Sequence, residues 1–166
     1  MSRTTFRISK AQFRDSTMSG VGAYIAGGRW NSPARYAVYT SGNLSLAMLE
    51  MLVHIDDAET FRATPHVYHS VSFPESAVAT LQQSDLPVGW DSRPESAASQ
   101  VVGDEWLDSL VRPVLAVPSV IVPAELRLDP AYLTYVINPL HPDFPTLIAI
   151  GLVHDLMWDV RLTRTP

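Results

Sequence analysis

Residues 44–55 constrain the fold more than any other stretch of the chain. Leu44, Ala47, Met48, Met51, Leu52 and Ile55 recur at the i, i+3, i+4, i+7 spacing of an α-helix. Leu46, Leu49 and Val53 extend the apolar surface to the opposite side. A helix apolar nearly all round is expected to be buried, so other elements must cover it. Ser41 or Asn43 can cap its N-terminus. The covering elements read mostly as strands. Residues 4–9 alternate, with Phe6 and Ile8 on one face and Thr5 and Arg7 on the other. Residues 36–40 are rich in β-formers, and residues 66–73 place Val67, His69, Val71 and Phe73 on one face. Further strands are expected at 114–117, 120–122, 132–138 and 158–162, and a second helix at 101–110. The glycine-rich stretch 16–32 and the Pro- and Gly-bearing stretch 84–100 read as loops. Strands and helices do not alternate regularly, which favours an α+β fold over a doubly wound one. A length of 166 residues fits one domain, residues 1–166.

Composition narrows the function. Twelve basic against seventeen acidic residues leave a net charge of −5, which argues against non-specific binding to nucleic acid or a membrane surface. The absence of cysteine excludes disulfides, thiolate catalysis and Cys-ligated zinc. No apolar run approaches the ~18–20 residues of a membrane span. The first residues, Met1 to Arg7, lack a hydrophobic signal core, so a cytoplasmic protein is expected. All the basic residues but Lys10 are arginine. That bias fits either a GC-rich genome or arginines that grip phosphate or carboxylate through two N–H groups.

Two constellations could carry chemistry. Asn43, Glu50, His54 and Asp57 fall in one narrow stripe of the helix, and Glu50 has apolar neighbours on both sides. A buried carboxylate must be paired, hydrogen-bonded or protonated. Glu50 is therefore a site residue, half of a structural ion pair, or part of a stripe that meets solvent. The second is Gly27-Gly28-Arg29-Trp30-Asn31. Its glycines allow a tight turn or close approach of a ligand, and its guanidinium, indole and amide suit an anion joined to a flat ring. Equally, it fits a turn whose Trp30 plugs the core. Gly20-Val21-Gly22 lacks the third glycine of a dinucleotide fingerprint, since Ile25 stands there. His66 and His69, three apart on a strand, face opposite sides and cannot share a metal ion. His141 and His154 read as structural, and Ser119 as a polar contact beside buried strand.

The order of blocks along the chain closely resembles the RES-domain family. The blocks are Phe6-Arg7-Ile8-Ser9, Ser19-Gly20-x-Gly22-Ala23, Gly27-Gly28-Arg29-Trp30-Asn31, Val38-Tyr39-Thr40-Ser41, Leu46-Ala47-x-Leu49-Glu50 and Leu52-Val53-His54. They continue through Leu86-Pro87-x-Gly89-Trp90, Gly103-Asp104-x-Trp106, Val117-Pro118-Ser119 and Asn138-Pro139-x-His141-Pro142. The resemblance implies a fold like that of ADP-ribosyltransferases, a split β-sheet with flanking helices around an NAD cleft. It implies a toxin of a toxin–antitoxin pair that consumes NAD by hydrolysis, phosphorolysis or ADP-ribosyl transfer. The family's Arg, Glu and Ser trio matches Arg7 and Arg29, Glu50, and Ser119, and its active-site Tyr matches Tyr39. Glu50, Arg29 and Tyr39 are thus expected to be catalytic, with Arg7, Arg29, Tyr39, Ser119 and Asn138 binding NAD. The implied partners are an Xre-type helix-turn-helix antitoxin, a protein acceptor and a second copy within the toxin–antitoxin complex. This chain departs from many relatives at Thr134, where they carry Asn, and is longer between Glu125 and Tyr135.

Physical chemistry agrees with that assignment. Breaking the nicotinamide–ribose bond develops positive charge on the ribose, which a nearby carboxylate stabilises. Pyrophosphate suits arginine, and cationic nicotinamide can stack on an aromatic face. Nicotinamide leaves as a neutral base, so no metal is expected. Strict protein mono-ADP-ribosyl transfer and a non-catalytic nucleotide- or partner-binding module are the alternatives.

Overall fold

In the computed structural model, which describes residues 1–163, eight strands form one sheet. They are β1 (Ser2–Lys10), β2 (Val38–Ser41), β3 (His66–Pro74), β4 (Val78–Thr80), β5 (Val114–Pro118), β6 (Leu133–Ile137), β7 (Ala149–Ile150) and β8 (His154–Leu156). The order is β4-β5-β6-β2-β1-β3-β7, with β8 also on β3, and every pairing except β4–β5 is antiparallel. Helices α1 (Val21–Ala26), α2 (Leu44–Leu52), α3 (Ala58–Ala63), α4 (Ala97–Ser109) and α5 (Phe144–Leu147) lie between the strands in sequence. The architecture is α+β, as expected.

The sheet is split at its centre. β1 runs beside β3 from Ser2↔Pro74 to Lys10↔His66, and β2 follows β6 from Val38↔Ile137 to Ser41↔Thr134. β1 and β2 meet in register only at Phe6↔Ser41. The two halves are thus well paired within themselves and diverge from each other, opening a cleft at the seam.

The half containing β5 and β6 is buried on both faces, which explains its continuous apolar runs. Val114, Ala116, Tyr135 and Ile137 pack on one side with Val38, Val71 and Phe73. Leu115, Val117 and Val136 pack on the other with Trp30, Trp90, Trp106 and Leu107. On β3, Val67, His69, Val71 and Phe73 are the buried face, as the alternation predicts.

Several expectations are corrected. α2 ends at Leu52 and leaves Leu49 and Val53 47% and 59% exposed. It packs against β1 and β2 on one side. Its cap is Asn43, whose side chain accepts from the Leu46 amide at 2.8 Å. The glycine-rich stretch contains α1, one short helix below the length at which periodicity is readable. α4 begins at Ala97, capped by Ser96, rather than at 101. α3 was not expected; Asp57 caps it by accepting from the Glu59 and Thr60 amides. Residues 120–122 are not a strand, and where a strand was expected at 158–162 there is a 3₁₀ turn, Val160–Thr163, with β7 and β8 before it.

Candidate active site

The seam between the sheet halves opens into a cleft of about 780 Å³, within the usual range for a small-molecule site. Arg7, Arg29, Tyr39, Glu50 and Ser119 all line it, although they are far apart in sequence. β1 contributes Arg7, β2 contributes Tyr39, α2 contributes Glu50, and the end of β5 leads into Ser119. Arg29 comes from the turn that follows α1.

Glu50 and Ser119 form a pair. The Ser119 hydroxyl donates to Glu50 Oε1 at 2.7 Å and accepts from the Ile121 amide at 3.2 Å. Ser119 is buried, and both of its hydrogen bonds are made within the protein. One carboxylate oxygen is therefore fixed, and among the described residues no hydrogen bond of the other is seen. Among the described residues Glu50 has no arginine partner, so there the ion-pair reading of the sequence does not hold. His54, one turn on, places Nδ1 2.7 Å from the Glu50 carbonyl oxygen, and it too lines the cleft.

Arg7 braces the seam. Its Nε donates to Thr17 O at 2.8 Å and to Thr17 Oγ1 at 3.1 Å, and its Nη1 donates to Tyr39 O at 2.8 Å. These bonds tie β1 to the following loop and to β2, where strand pairing has lapsed. Burial lowers its pKa to about 10, which still leaves the guanidinium charged at neutral pH.

Tyr39 anchors the Gly27-to-Asn31 turn. Its hydroxyl donates to Asn31 Oδ1 at 2.7 Å and accepts from the Trp30 amide at 3.1 Å. Burial pushes the phenol well above its ordinary value, so it stays protonated. With the hydroxyl engaged, the ring face is what Tyr39 can offer a ligand. Trp30 is fully buried against Trp90, 6.0 Å away between ring centroids. Trp30 thus plugs the core, and Asn31 is buried with it, while Arg29 lines the cleft. Gly28 is the residue that permits it, because a Cβ there would lie 2.8 Å from the Tyr39 oxygen.

Arg29 donates through Nη1 to Trp90 O at 2.6 Å and to Ser92 O at 3.0 Å. Its Nε and Nη2 make no hydrogen bond among the described residues and remain a two-pronged donor edge.

Asn138 is a correction. It is buried outside the cleft, where Nδ2 donates to Leu107 O at 3.1 Å and Oδ1 accepts from the Leu140 amide at 3.0 Å. Its side chain closes the turn after β6, beside Leu107 and Leu110, and is not among the residues that line the cleft. His141 is structural as expected, with Nε2 donating to Leu110 O and Nδ1 accepting from the Asp143 amide. Arg93, Glu95 and Gln100 also line the cleft and were not anticipated. They sit in or beside a long irregular segment with no periodicity to mark them. Among the described residues, no cluster of three or more His, Asp or Glu side chains is placed to hold a metal ion.

Comparison with known proteins gives a consistent picture. The RES domain family matches residues 4–159. A protein named Toxin Res from Yersinia enterocolitica is 36% identical over 157 residues, covering 95% of this chain and 97% of that protein. A protein named Prs ADP-ribosylating toxin from Sphingobium sp. is 35% identical over 150 residues, covering 89% and 87%. A chain of the M. tuberculosis MbcT–MbcA toxin–antitoxin complex superposes with a TM-score of 0.74 at 21% identity, covering 94% of this chain and 85% of that one. That likeness establishes a shared fold.

Proposed function

This chain belongs to the RES domain family, and from that premise we propose that it is the toxin of a toxin–antitoxin pair and cleaves the nicotinamide–ribose bond of NAD. The observation that carries the proposal is the Glu50–Ser119 pair facing a cleft that also holds Arg29 and Tyr39. The residues fit the substrate. The free edge of Arg29 suits a pyrophosphate oxygen pair, and the Tyr39 ring suits a flat cationic base.

In the reaction, the bond between ribose C1′ and the nicotinamide nitrogen breaks. The electron pair leaves with nicotinamide, which departs neutral, and the ribose takes on oxocarbenium character. Glu50, held through Oε1 by Ser119, keeps Oε2 for the ribose 2′-hydroxyl and sets a negative charge beside the developing cation. The acceptor then attacks C1′ with its own lone pair and loses a proton. Arg7 keeps the two sheet halves at a fixed separation, so the carboxylate, the arginine edge and the ring stay in register.

The first steps are the same for water, phosphate or a protein side chain as acceptor. Transfer to a protein is a second reading, favoured by the relative named as an ADP-ribosylating toxin. An antitoxin partner, of Xre type, restrains the toxin by covering the cleft, and residues 1–166 act as one domain. No helix among the described residues is long and apolar enough to cross a membrane. The test is incubation of purified protein with NAD, with and without phosphate or cell lysate. Free nicotinamide supports cleavage, and an added ADP-ribose mass on a lysate protein supports transfer. NAD bound without nicotinamide release leaves a binding module.

A further inference from the structure

The cleft holds three arginines, and they are not equivalent. Arg7 is locked into the fold by bonds on both sides of the seam. Arg29 uses Nη1 on two carbonyls of the segment that follows Gly89. Arg93 lines the same cleft, is exposed, and makes no hydrogen bond or ion pair among the described residues.

The segment that carries Arg93 is heavily anchored. Trp90 is buried, stacks on Trp30, and donates its amide to Pro87 O at 3.0 Å. Arg29 grips Trp90 O and Ser92 O, the latter on the residue just before Arg93. The Ser92 hydroxyl donates to Pro94 O at 3.0 Å, on the residue just after it. Arg127 lies over the Trp90 ring at 5.2 Å and pairs with Asp91 Oδ2 at 3.2 Å. Asp91 is thereby withdrawn as a partner for Arg93. A cation on a fixed backbone, with Asp91 engaged elsewhere and no ion pair to Glu95 among the described residues, is preorganised for an anion that is not part of the protein. Arg29 places its own free edge on the same wall, because it holds the backbone on which Arg93 stands.

Resting on the NAD reading, we infer that Arg93 is a second phosphate-binding residue of the cleft. It completes pyrophosphate recognition with Arg29, while Arg7 serves the fold. Arg93 is then a specificity determinant: it selects a dinucleotide over a phosphate-free nucleoside. Glu95, on the same wall, sets the opposite sign beside it and disfavours an anion bound out of place.

The experiment is titration calorimetry of ADP-ribose, which carries the pyrophosphate but no scissile nicotinamide, into the full chain and into Arg93→Gln and Arg93→Lys. Arg93 is exposed and makes no hydrogen bond or ion pair among the described residues, so both variants should melt with the parent. ADP-ribose affinity should fall about tenfold in Arg93→Gln, as for one lost charge-assisted hydrogen bond, and less in Arg93→Lys. Equal affinities in parent and Arg93→Gln would overturn the assignment and leave the NAD reading intact. If the parent binds neither ADP-ribose nor NAD, both are overturned.

Discussion

Replacing Gly28 with alanine tests how the Gly27-to-Asn31 turn is built onto the cleft. A methyl group there would lie 2.8 Å from Tyr39 Oη, 2.9 Å from Asn31 Oδ1 and 3.1 Å from Tyr39 Cζ. The two oxygens are themselves donor and acceptor at 2.7 Å, so the methyl would press on that hydrogen bond from one side. Ordinary contact needs about 3.4 Å, so each oxygen must retreat by roughly 0.5 Å. Overpacking of this kind costs ~1–3 kcal/mol. Gly28 is not in the left-handed region, so the alanine backbone recovers ~0.4–1 kcal/mol through the unfolded chain. The net is about 1.3 kcal/mol, a fall in Tm of about 3–5 °C for a chain of this size. Tyr39→Phe alone should cost ~1–3 kcal/mol, since the Trp30 amide loses its acceptor and Asn31 Oδ1 its donor. Together the two changes should cost less than their sum by ~1 kcal/mol or more, because the phenylalanine removes the atom the methyl meets first. Urea unfolding of the four proteins measures the cycle. Additive effects, or a Gly28→Ala protein that melts with the parent, would refute this account of the turn.

Two further perturbations separate fold from chemistry. Arg7→Lys should lower Tm by about 4–8 °C, since one ammonium cannot span Thr17 and Tyr39 and about 2 kcal/mol of bridging is lost; unchanged melting with weaker NAD binding would instead make Arg7 a ligand cation. His69 is fully buried opposite Arg7, with neither ring nitrogen hydrogen-bonded among the described residues. Burial and then the Arg7 charge hold its pKa below the ordinary 6.5, so the unfolded chain takes up the proton first and stability falls as pH drops below that value. The urea midpoint should decline between about pH 7.5 and about pH 5.5, and His69→Gln should flatten that slope even though His66 shifts in the same direction; an unchanged slope would exclude His69 as a source.

Much of this molecule is legible in its residues, and the illegible parts have physical causes. Alternation found β3 because it is half-buried with a period of two; β1 was found by its Phe6 and Ile8 although it buries Thr5 and Ser9 on its other face. The unbroken apolar runs of β5 and β6 read as buried strand because both faces are covered. α2 was found by its period, but its burial was overestimated: periodicity reports that a helix forms, not how many layers lie on it. Leu49 and Val53 are exposed, and Val53, just past the helix end, lines the cleft instead of the core. α1 and α3 have six residues each, too few for a repeat to show. At the cleft, Glu50 stood out as a carboxylate among apolar neighbours, whereas its partner Ser119 is brought to it only by the sheet. Asn138 was carried over with its motif, and its hydrogen bonds show that it serves a turn. Arg93 lies in a segment without period, so only the fold reveals that it reaches the cleft.

The most direct measurement is nicotinamide release from NAD by the purified chain and by Glu50→Gln. Glutamine keeps the volume and can still accept from Ser119 Oγ, so the variant should melt with the parent. The parent should release nicotinamide, and the variant should do so at least ~100-fold more slowly, in line with ~3 kcal/mol of lost transition-state electrostatics. A folded Glu50→Gln protein that releases nicotinamide at the parental rate would contradict the central claim, as would a parent that releases none.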